Sequence, residues 1–111
     1  MNVKDIIERL ELKVYSGKDG LNNEVVEGYT SDLLSDVIGN AQAGAVWITL
    51  QTHKNVMAIA SLKDLAAVIL VKDLQPDEDM AEQSNSEGIP VLGTSKSAFD
   101  ISGALYNLLN K

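Results

Sequence analysis

Short polar segments that follow apolar runs carry the side chains of this sequence that could do chemistry. There are four: Thr30-Ser31-Asp32, Gln51-Thr52-His53-Lys54-Asn55, Lys72-Asp73 and Gly93-Thr94-Ser95-Lys96-Ser97. Three of them lead into expected helices, whose first free N–H groups can bind anions. We therefore predict a site for a nucleotide or anionic metabolite, formed by Thr30, Ser31, Thr52, His53, Asn55, Lys72, Thr94 and Ser95. The simpler interpretation, which each segment taken alone favours, is that these residues cap their own helices.

His53 is the one side chain suited to proton exchange near neutral pH. It could serve as a general base if Ser31 or Ser95 lay beside it, but no nucleophile motif accompanies it. The alternative is a residue of a helix's first turn that is exposed or bonded locally. We expect no catalytic residue and predict that the protein is not an enzyme.

Metal and cofactor motifs are absent from the sequence. It contains no cysteine and a single histidine, which excludes sites built on cysteine or on several histidines. The acidic group Asp77, Glu78, Asp79 and Glu82 matches no calcium loop, and acidic residues are normal in the first turn of a helix. Neither GxGxxG nor a GxxxxGKS/T loop occurs among the eight glycines. We expect no metal and no cofactor.

The charge balance and the hydropathy restrict the partners. With 9 basic against 16 acidic residues the formal net charge is −7, which argues against binding to nucleic acid. No apolar run approaches the roughly 20 residues that span a bilayer. The first residues, Met1 to Asp5, lack the pattern of a secretory signal. We expect a cytoplasmic protein that binds neither nucleic acid nor membrane.

Three nearly continuous apolar runs, at 45–50, 68–71 and 89–92, indicate strands buried on both faces, as in a parallel sheet covered by helices. Shorter strands are expected at 12–15 and 24–29. Helices are expected at 3–11, after the cap Thr30-Ser31-Asp32, and at 53–64, 76–86 and 97–109. Pro76 would occupy a first helical position, and Phe99, Ile101, Leu105 and Leu108 would face the core. The order predicts one α/β domain over residues 1–111, a three-layer α/β/α structure with a mostly parallel central sheet.

The helix expected at 53–64 is apolar around much of its circumference, which indicates either double burial or a face for a partner. We predict a homodimer, with an interface formed by this helix or its neighbours. The residues assigned to it are Val56, Met57, Ile59, Ala60 and Leu62.

Several of these segments together resemble the DRTGG domain family over nearly the whole chain. They are the opening helix and strand, Val25-Val26-Glu27-Gly28, the stretch from Ala43 to Thr49, the helix at 53–64, Ile69 to Asp77, and the stretch from Glu87 to Leu92. The named signature itself is degenerate. Val71-Lys72-Asp73 stands where the family has its glycine pair, and Thr52-His53-Lys54-Asn55 stands where the family has Asp-Arg-type residues.

The resemblance implies a fold similar to the N-terminal domain of HPr kinase/phosphorylase and a regulatory role. Family members occur beside phosphotransacetylase and pyrophosphatase domains and as small free-standing proteins. We predict a non-catalytic regulatory or interaction module that acts as a dimer on a partner, such as a metabolic enzyme. The alternative is a small-molecule sensor that uses the polar segments described above. A STAS-like or response-receiver domain also fits the size, but no phospho-acceptor pattern favours either.

Overall fold

The computed structural model describes residues 1–110, in which five strands form one sheet with five α-helices around it. The strands are β1 (Lys13–Ser16), β2 (Glu27–Thr30), β3 (Ala45–Thr49), β4 (Ala67–Leu70) and β5 (Val91–Gly93). The helices are α1 (Val3–Leu10), α2 (Leu34–Asn40), α3 (Asn55–Leu62), α4 (Glu78–Glu87) and α5 (Ala98–Leu109). No helix within these residues is long and apolar enough to cross a membrane.

The sheet has the strand order β1-β5-β4-β3-β2. β2, β3, β4 and β5 are parallel, and β1 lies antiparallel to β5, with Lys13 opposite Gly93. Every residue of β3, β4 and β5 is buried, which is why their sequences are apolar without alternation. The predicted α/β fold with a mostly parallel sheet is confirmed.

Two apolar layers cover the two faces of the sheet. On one face Trp47, Val68 and Leu70 pack with α2, α3 and α4. On the other face Ile48 and Ile69 pack with α1 and α5. Alternate residues of each strand therefore serve opposite layers, as the two-residue period of a strand requires.

Four helix starts lie later than the sequence indicated, and α3 begins at Asn55 rather than at residue 53. α2 begins at Leu34 without a side-chain cap, because Asp32 bonds to the end of β3 instead. α4 begins at Glu78 after the N-cap Asp77, so Pro76 precedes the helix rather than opening it. At α5 the start differs by one residue, and the hydroxyl of Ser97 caps the helix by accepting from Asp100 N.

Phe99 does not face the core as predicted; its side chain is 85% exposed. Ile101 and Leu105 of the same helix are fully buried, and Leu108 is partly buried. Two residues turn an α-helix by about 200°, so Phe99 and Ile101 must lie on opposite sides. The packing of Ile101 and Leu105 against the sheet sets the rotation of α5 and leaves Phe99 in solvent.

The all-round apolar character of α3 comes from burial within one chain. Val56, Met57, Ile59 and Ala60 pack into the layer that contains Trp47. The assignment of these four residues to a dimer interface is therefore corrected, because a second chain cannot reach them. Leu62, 69% exposed, is the one member of the predicted interface at the surface.

Candidate functional site

The carboxyl ends of the four parallel strands lie along one edge of the sheet, and the four polar segments follow them there. In open parallel sheets this edge is where ligands bind. The strand order divides the segments into two groups. The first group consists of the neighbouring segments after β2 and β3. The second group consists of the neighbouring segments after β4 and β5, and it lies toward the edge of the sheet that β1 forms.

The first group is organised by Asp32. Its carboxylate accepts hydrogen bonds from Thr49 Oγ1 at 2.8 Å and from Leu50 N at 2.7 Å. Its main-chain carbonyl accepts from Gln51 Nε2 at 3.1 Å. These bonds tie the turn after β2 to the end of β3, so Asp32 serves the sheet edge rather than a helix cap.

His53 is held by the same network. Its Nε2 lies 2.8 Å from Gln51 Oε1. Because the amide nitrogen of Gln51 donates to Asp32, the amide oxygen must accept, and a neutral His53 therefore carries its proton on Nε2. Nδ1 is buried without a hydrogen-bond partner in the described part of the chain.

The serines expected near His53 bond elsewhere or are exposed. Ser31 Oγ accepts from Leu33 N at 3.2 Å, and Ser95 lies with the second group. Neither hydroxyl is hydrogen-bonded to His53 within residues 1–110. The arrangement of nucleophile and base considered from the sequence is not assembled here.

Three further predicted residues have separate surroundings. Thr52 Oγ1 bonds to Asp77 Oδ1 at 3.3 Å and helps to fix the start of α4. Asn55 is the exposed first residue of α3. Thr30 Oγ1 lies 2.7 Å from Ser102 Oγ and so faces α5 rather than the neighbouring turns.

The second group surrounds a small polar cavity of about 210 Å³. Lys13 from β1 reaches this edge, where its ammonium group lies 3.7 Å from Asp73 Oδ1. Thr94 is buried, and its hydroxyl accepts from Lys96 N at 3.2 Å. The residues lining the cavity are Leu10, Glu11, Lys13, Asp73, Gly93, Thr94, Ser95 and Lys96.

The wall after β4 has a left-handed backbone at two successive residues. Lys72 has φ 56° and Asp73 has φ 59°, conformations that favour glycine. Lys72 N donates to Lys96 O at 3.0 Å and Asp73 N donates to Thr94 O at 2.9 Å, which fixes the loop after β4 against the loop after β5.

The structure thus brings Thr94, Ser95 and the Lys72 backbone together, and it adds Lys13 and the side chain of Lys96. Sequence reasoning missed Lys13 because nothing in the sequence places β1 next to β5. Lys96 was visible as a cation between two predicted site residues and a helix. Among residues 1–110, no cluster of three or more His, Asp or Glu side chains could hold a metal ion.

One ionisable pair lies near the first group, between β2 and α2. Tyr29 donates its hydroxyl proton to Asp36 Oδ1 at 2.9 Å. Hydrogen bonding from the hydroxyls of Ser31 and Tyr29 lowers the pKa of Asp36. Desolvation and the neighbouring Asp36 carboxylate raise the pKa of Tyr29.

No family model matches the sequence, and neither does any curated protein. Among solved structures, the fold is similar to the crystal structure of the CBS and DRTGG domains of the regulatory region of Clostridium perfringens pyrophosphatase, complexed with its activator, diadenosine tetraphosphate. The TM-score is 0.68 at 12% sequence identity, and the match covers 94% of this chain and 45% of that one. At this identity the likeness shows a shared fold.

Proposed function

We propose that this chain is a non-catalytic regulatory domain that senses an anionic small molecule at the carboxyl edge of its sheet. The observation that carries the proposal is the polar cavity in which Lys13 and Lys96 meet the hydroxyls of Thr94 and Ser95. Two ammonium groups and two hydroxyls can bind a phosphate or carboxylate, although the carboxylates of Glu11 and Asp73 in the same lining oppose an anion. Asp73 pairs with Lys13, and a bound anion would have to compete with it for the ammonium group.

The loop that forms one wall also supports the proposal. The hydrogen bonds from Lys72 and Asp73 couple the segments after β4 and β5, so a ligand between them would stabilise both. α5 starts directly after the second segment, at Ala98. A change at the cavity can therefore be transmitted along α5, which gives the domain a route from a bound ligand to another surface.

The shared fold supports a regulatory role rather than a catalytic one. The pyrophosphatase structure is of a regulatory region, and that region was solved with a nucleotide activator. This chain matches 45% of that structure, so the corresponding activity, ligand and partner enzyme are proposals for it. A nucleotide polyphosphate is accordingly the first class of ligand to test.

The test is a thermal-shift titration of the protein with ATP, ADP, diadenosine tetraphosphate, acetyl phosphate and inorganic phosphate. A ligand at one hundred times its dissociation constant adds about 2.7 kcal/mol to the free energy of unfolding. Each kcal/mol raises the melting temperature of a domain of this size by about 4–8 °C. We expect at least one compound to raise it, and Lys96→Ala and Lys13→Ala each to remove most of the rise.

Lys4→Ala is the matched control, because Lys4 is an exposed lysine of α1 that does not line the cavity. The salt bridge lost with Lys13 is exposed on both sides and contributes little to stability. A shift that persists in the Lys13→Ala/Lys96→Ala double variant would place the ligand elsewhere and refute the site. No shift with any of the five compounds would refute the proposal for this class of ligand.

The homodimer remains a separate proposal. Of the five α3 residues expected at its interface, Leu62 is the one that a second chain can contact, since the other four residues lie in the core. Sedimentation equilibrium decides between one and two chains per particle. If a dimer is found, Leu62→Glu should dissociate it only where α3 forms the contact.

A further inference from the structure

Another cavity, larger than the polar cavity, lies between β2 and α5, at the edge of the sheet opposite β1. Its volume is about 390 Å³, within the range of binding clefts. β2 supplies Gly28 and Thr30 to its lining, and α5 supplies Ser102 and Tyr106. We refer to it as the β2–α5 cleft. It is distinct from the polar cavity beside β1.

Gly28 lets α5 approach β2 closely along the floor of the cleft. Residues 28 and 30 of β2 face α5, whereas Tyr29 faces α2. A Cβ atom on Gly28 would lie 2.9 Å from Leu105 Cδ2, so a side chain here would push the helix away from the strand. A glycine inside a strand often marks a place where another backbone or a ligand comes close.

β2 is also an edge strand, paired on one side with β3 and open on the other. Val26 N donates to Gly44 O at 3.0 Å, toward β3. By the alternation of a parallel ladder, the N–H and C=O groups of Glu27 and Tyr29 point away from β3. Such an unpaired edge is a template for a further strand.

Exposed apolar side chains border the cleft on both walls. Val26 is 58% exposed and Tyr106 is 67% exposed, and both line it. Phe99 lies seven residues before Tyr106, which places the two aromatic rings on the same side of α5. A strand added outside β2 would have alternate side chains directed at this side of the helix.

Charge decides between the possible occupants. The chain as a whole carries −7, and Glu27 is the one charged residue among the described residues that line the cleft, although its carboxylate accepts from Gln42 N and Gln42 Nε2. A second copy would bring the same net charge and a second Glu27, and like charges oppose pairing across strands. An extended segment with basic residues is complementary in charge both to the cleft and to the whole molecule.

From this combination we infer that the β2–α5 cleft binds an extended, basic segment of a partner protein by strand addition. The segment pairs with the outward groups of Glu27 and Tyr29 and places an apolar side chain between Val26 and Tyr106. This mode combines backbone hydrogen bonds with a pocket for an alternate side chain. Because α5 begins two residues after Lys96 of the polar cavity and lines the cleft, the surface suits the output of the proposed regulatory domain.

The experiment uses a blocked hexapeptide, Lys-Val-Lys-Val-Lys-Val, titrated into the full 15N-labelled protein and followed by amide chemical shifts. We expect the amide signals of Glu27, Tyr29, Ser102 and Tyr106 to shift. The dissociation constant should lie below about 1 mM. The acidic counterpart, Glu-Val-Glu-Val-Glu-Val, should bind at least tenfold more weakly. The same basic peptide N-methylated at alternate residues on its pairing edge should lose binding, since it cannot complete the ladder.

Tyr106→Ala should weaken binding of the basic peptide at least fivefold, and Leu62→Ala, an exposed apolar residue of α3, should leave it unchanged. Gly28→Val should abolish binding; Tyr106→Ala keeps the test valid if that variant is unstable. Unchanged affinity in Tyr106→Ala, equal binding of the N-methylated peptide, or shifts confined to other elements would each overturn the inference. So would a concentration-dependent dimer whose contacts shift the same β2 amides. We expect Lys96→Ala to bind the peptide as the wild-type protein does, so that the peptide result does not depend on whether the polar cavity binds an anion.

Discussion

At the residue scale, the loop after β4 depends on two residues that adopt the left-handed region. A non-glycine residue pays about 1–2 kcal/mol for this conformation. Lys72 and Asp73 are nevertheless held there by main-chain bonds to Lys96 and Thr94. The strained loop forms part of the wall of the polar cavity, which Asp73 lines.

Lys72→Gly is therefore expected to stabilise the protein. Relief of the left-handed conformation outweighs the greater entropy that glycine brings to the unfolded chain, about 0.5–1 kcal/mol, and the net gain is up to about 1 kcal/mol. Urea unfolding followed by the fluorescence of Trp47 measures the change. Lys63→Gly is the control, because Lys63 has φ −94° and gains no relief. A loss of stability in Lys72→Gly equal to that in Lys63→Gly would show that the backbone is not strained.

His53 shows what residue type alone leaves open. The sequence allowed proton chemistry, ligand binding or a local bond, and in the structure the ring bonds to Gln51, two residues away, and has a buried Nδ1. The deciding partner, Asp32, is 21 residues away in the sequence and acts through the amide of Gln51. Such a network depends on β2 and β3 lying side by side and could not be predicted from spacing.

At the element scale, a buried hydroxyl chain joins β1 to α4. Ser16 Oγ donates to Ser84 Oγ at 2.9 Å, and Ser84 Oγ donates to Ile89 O at 2.7 Å. Both serines are buried, so each of these bonds satisfies a group that water cannot reach. These two hydrogen bonds fix the irregular end of β1, where the register of β1 against β5 shifts between Val14 and Ser16.

Ser84→Ala should lower the free energy of unfolding by about 1–3 kcal/mol, because the Ser16 hydroxyl and the Ile89 carbonyl lose their partner. Ser86→Ala, an exposed position two residues along α4, should change it by less than about 0.5 kcal/mol. Urea unfolding of the two variants side by side is the measurement. Equal effects would mean that water replaces the missing hydroxyl.

The bond between Tyr29 and Asp36 connects β2 to α2 and depends on pH. The folded protein lowers the pKa of Asp36, so the unfolded chain binds protons more readily at this group. The resulting stability is present above the ordinary pKa of 3.8 and is lost as the pH falls through the lowered value. Tyr29 has the opposite sign: its raised pKa gives stability that is present below pH 10.0 and lost at higher pH.

Asp36→Asn should consequently be less stable than the wild-type protein at pH 7, and the difference should narrow as the pH falls below 3.8. Thermal unfolding across pH 2.5–7 follows this difference, with Asp79→Asn, an exposed residue of α4, as the reference. A difference that stays constant over this range would mean that the carboxylate charge does not contribute.

Secondary structure was predictable where burial imposes a clear pattern. Continuous apolar runs located β3, β4 and β5, because side chains of these strands are covered on both faces. Apolar composition did not show what covers α3. A helix that is buried within its own chain has the same composition as a helix at a subunit interface. Phe99 was misplaced because the hydrophobic type of one residue does not specify the rotation of the helix, which the packing of Ile101 and Leu105 determines.

At the scale of the whole molecule, neither candidate surface could be derived from the sequence. The polar cavity requires β1 beside β5, and the β2–α5 cleft requires β2 at the opposite edge. Strand order arises from long-range packing, whereas the sequence patterns report local periodicity. The polar segments were correctly expected at one sheet edge, but their division into two groups follows from that order.

The antiparallel pairing of β1 has a consequence for how the chain folds. Lys13 and Gly93 are about 80 residues apart, and closing a loop of that length costs about 4 kcal/mol in chain entropy. The parallel strands between them close shorter loops, so we expect β1 to join after the rate-limiting step. Val14→Ala should then accelerate unfolding with little effect on the refolding rate, whereas Val68→Ala in β4 should slow refolding. Stopped-flow fluorescence of Trp47 distinguishes the two, and slower refolding in Val14→Ala would make β1 part of the folding nucleus.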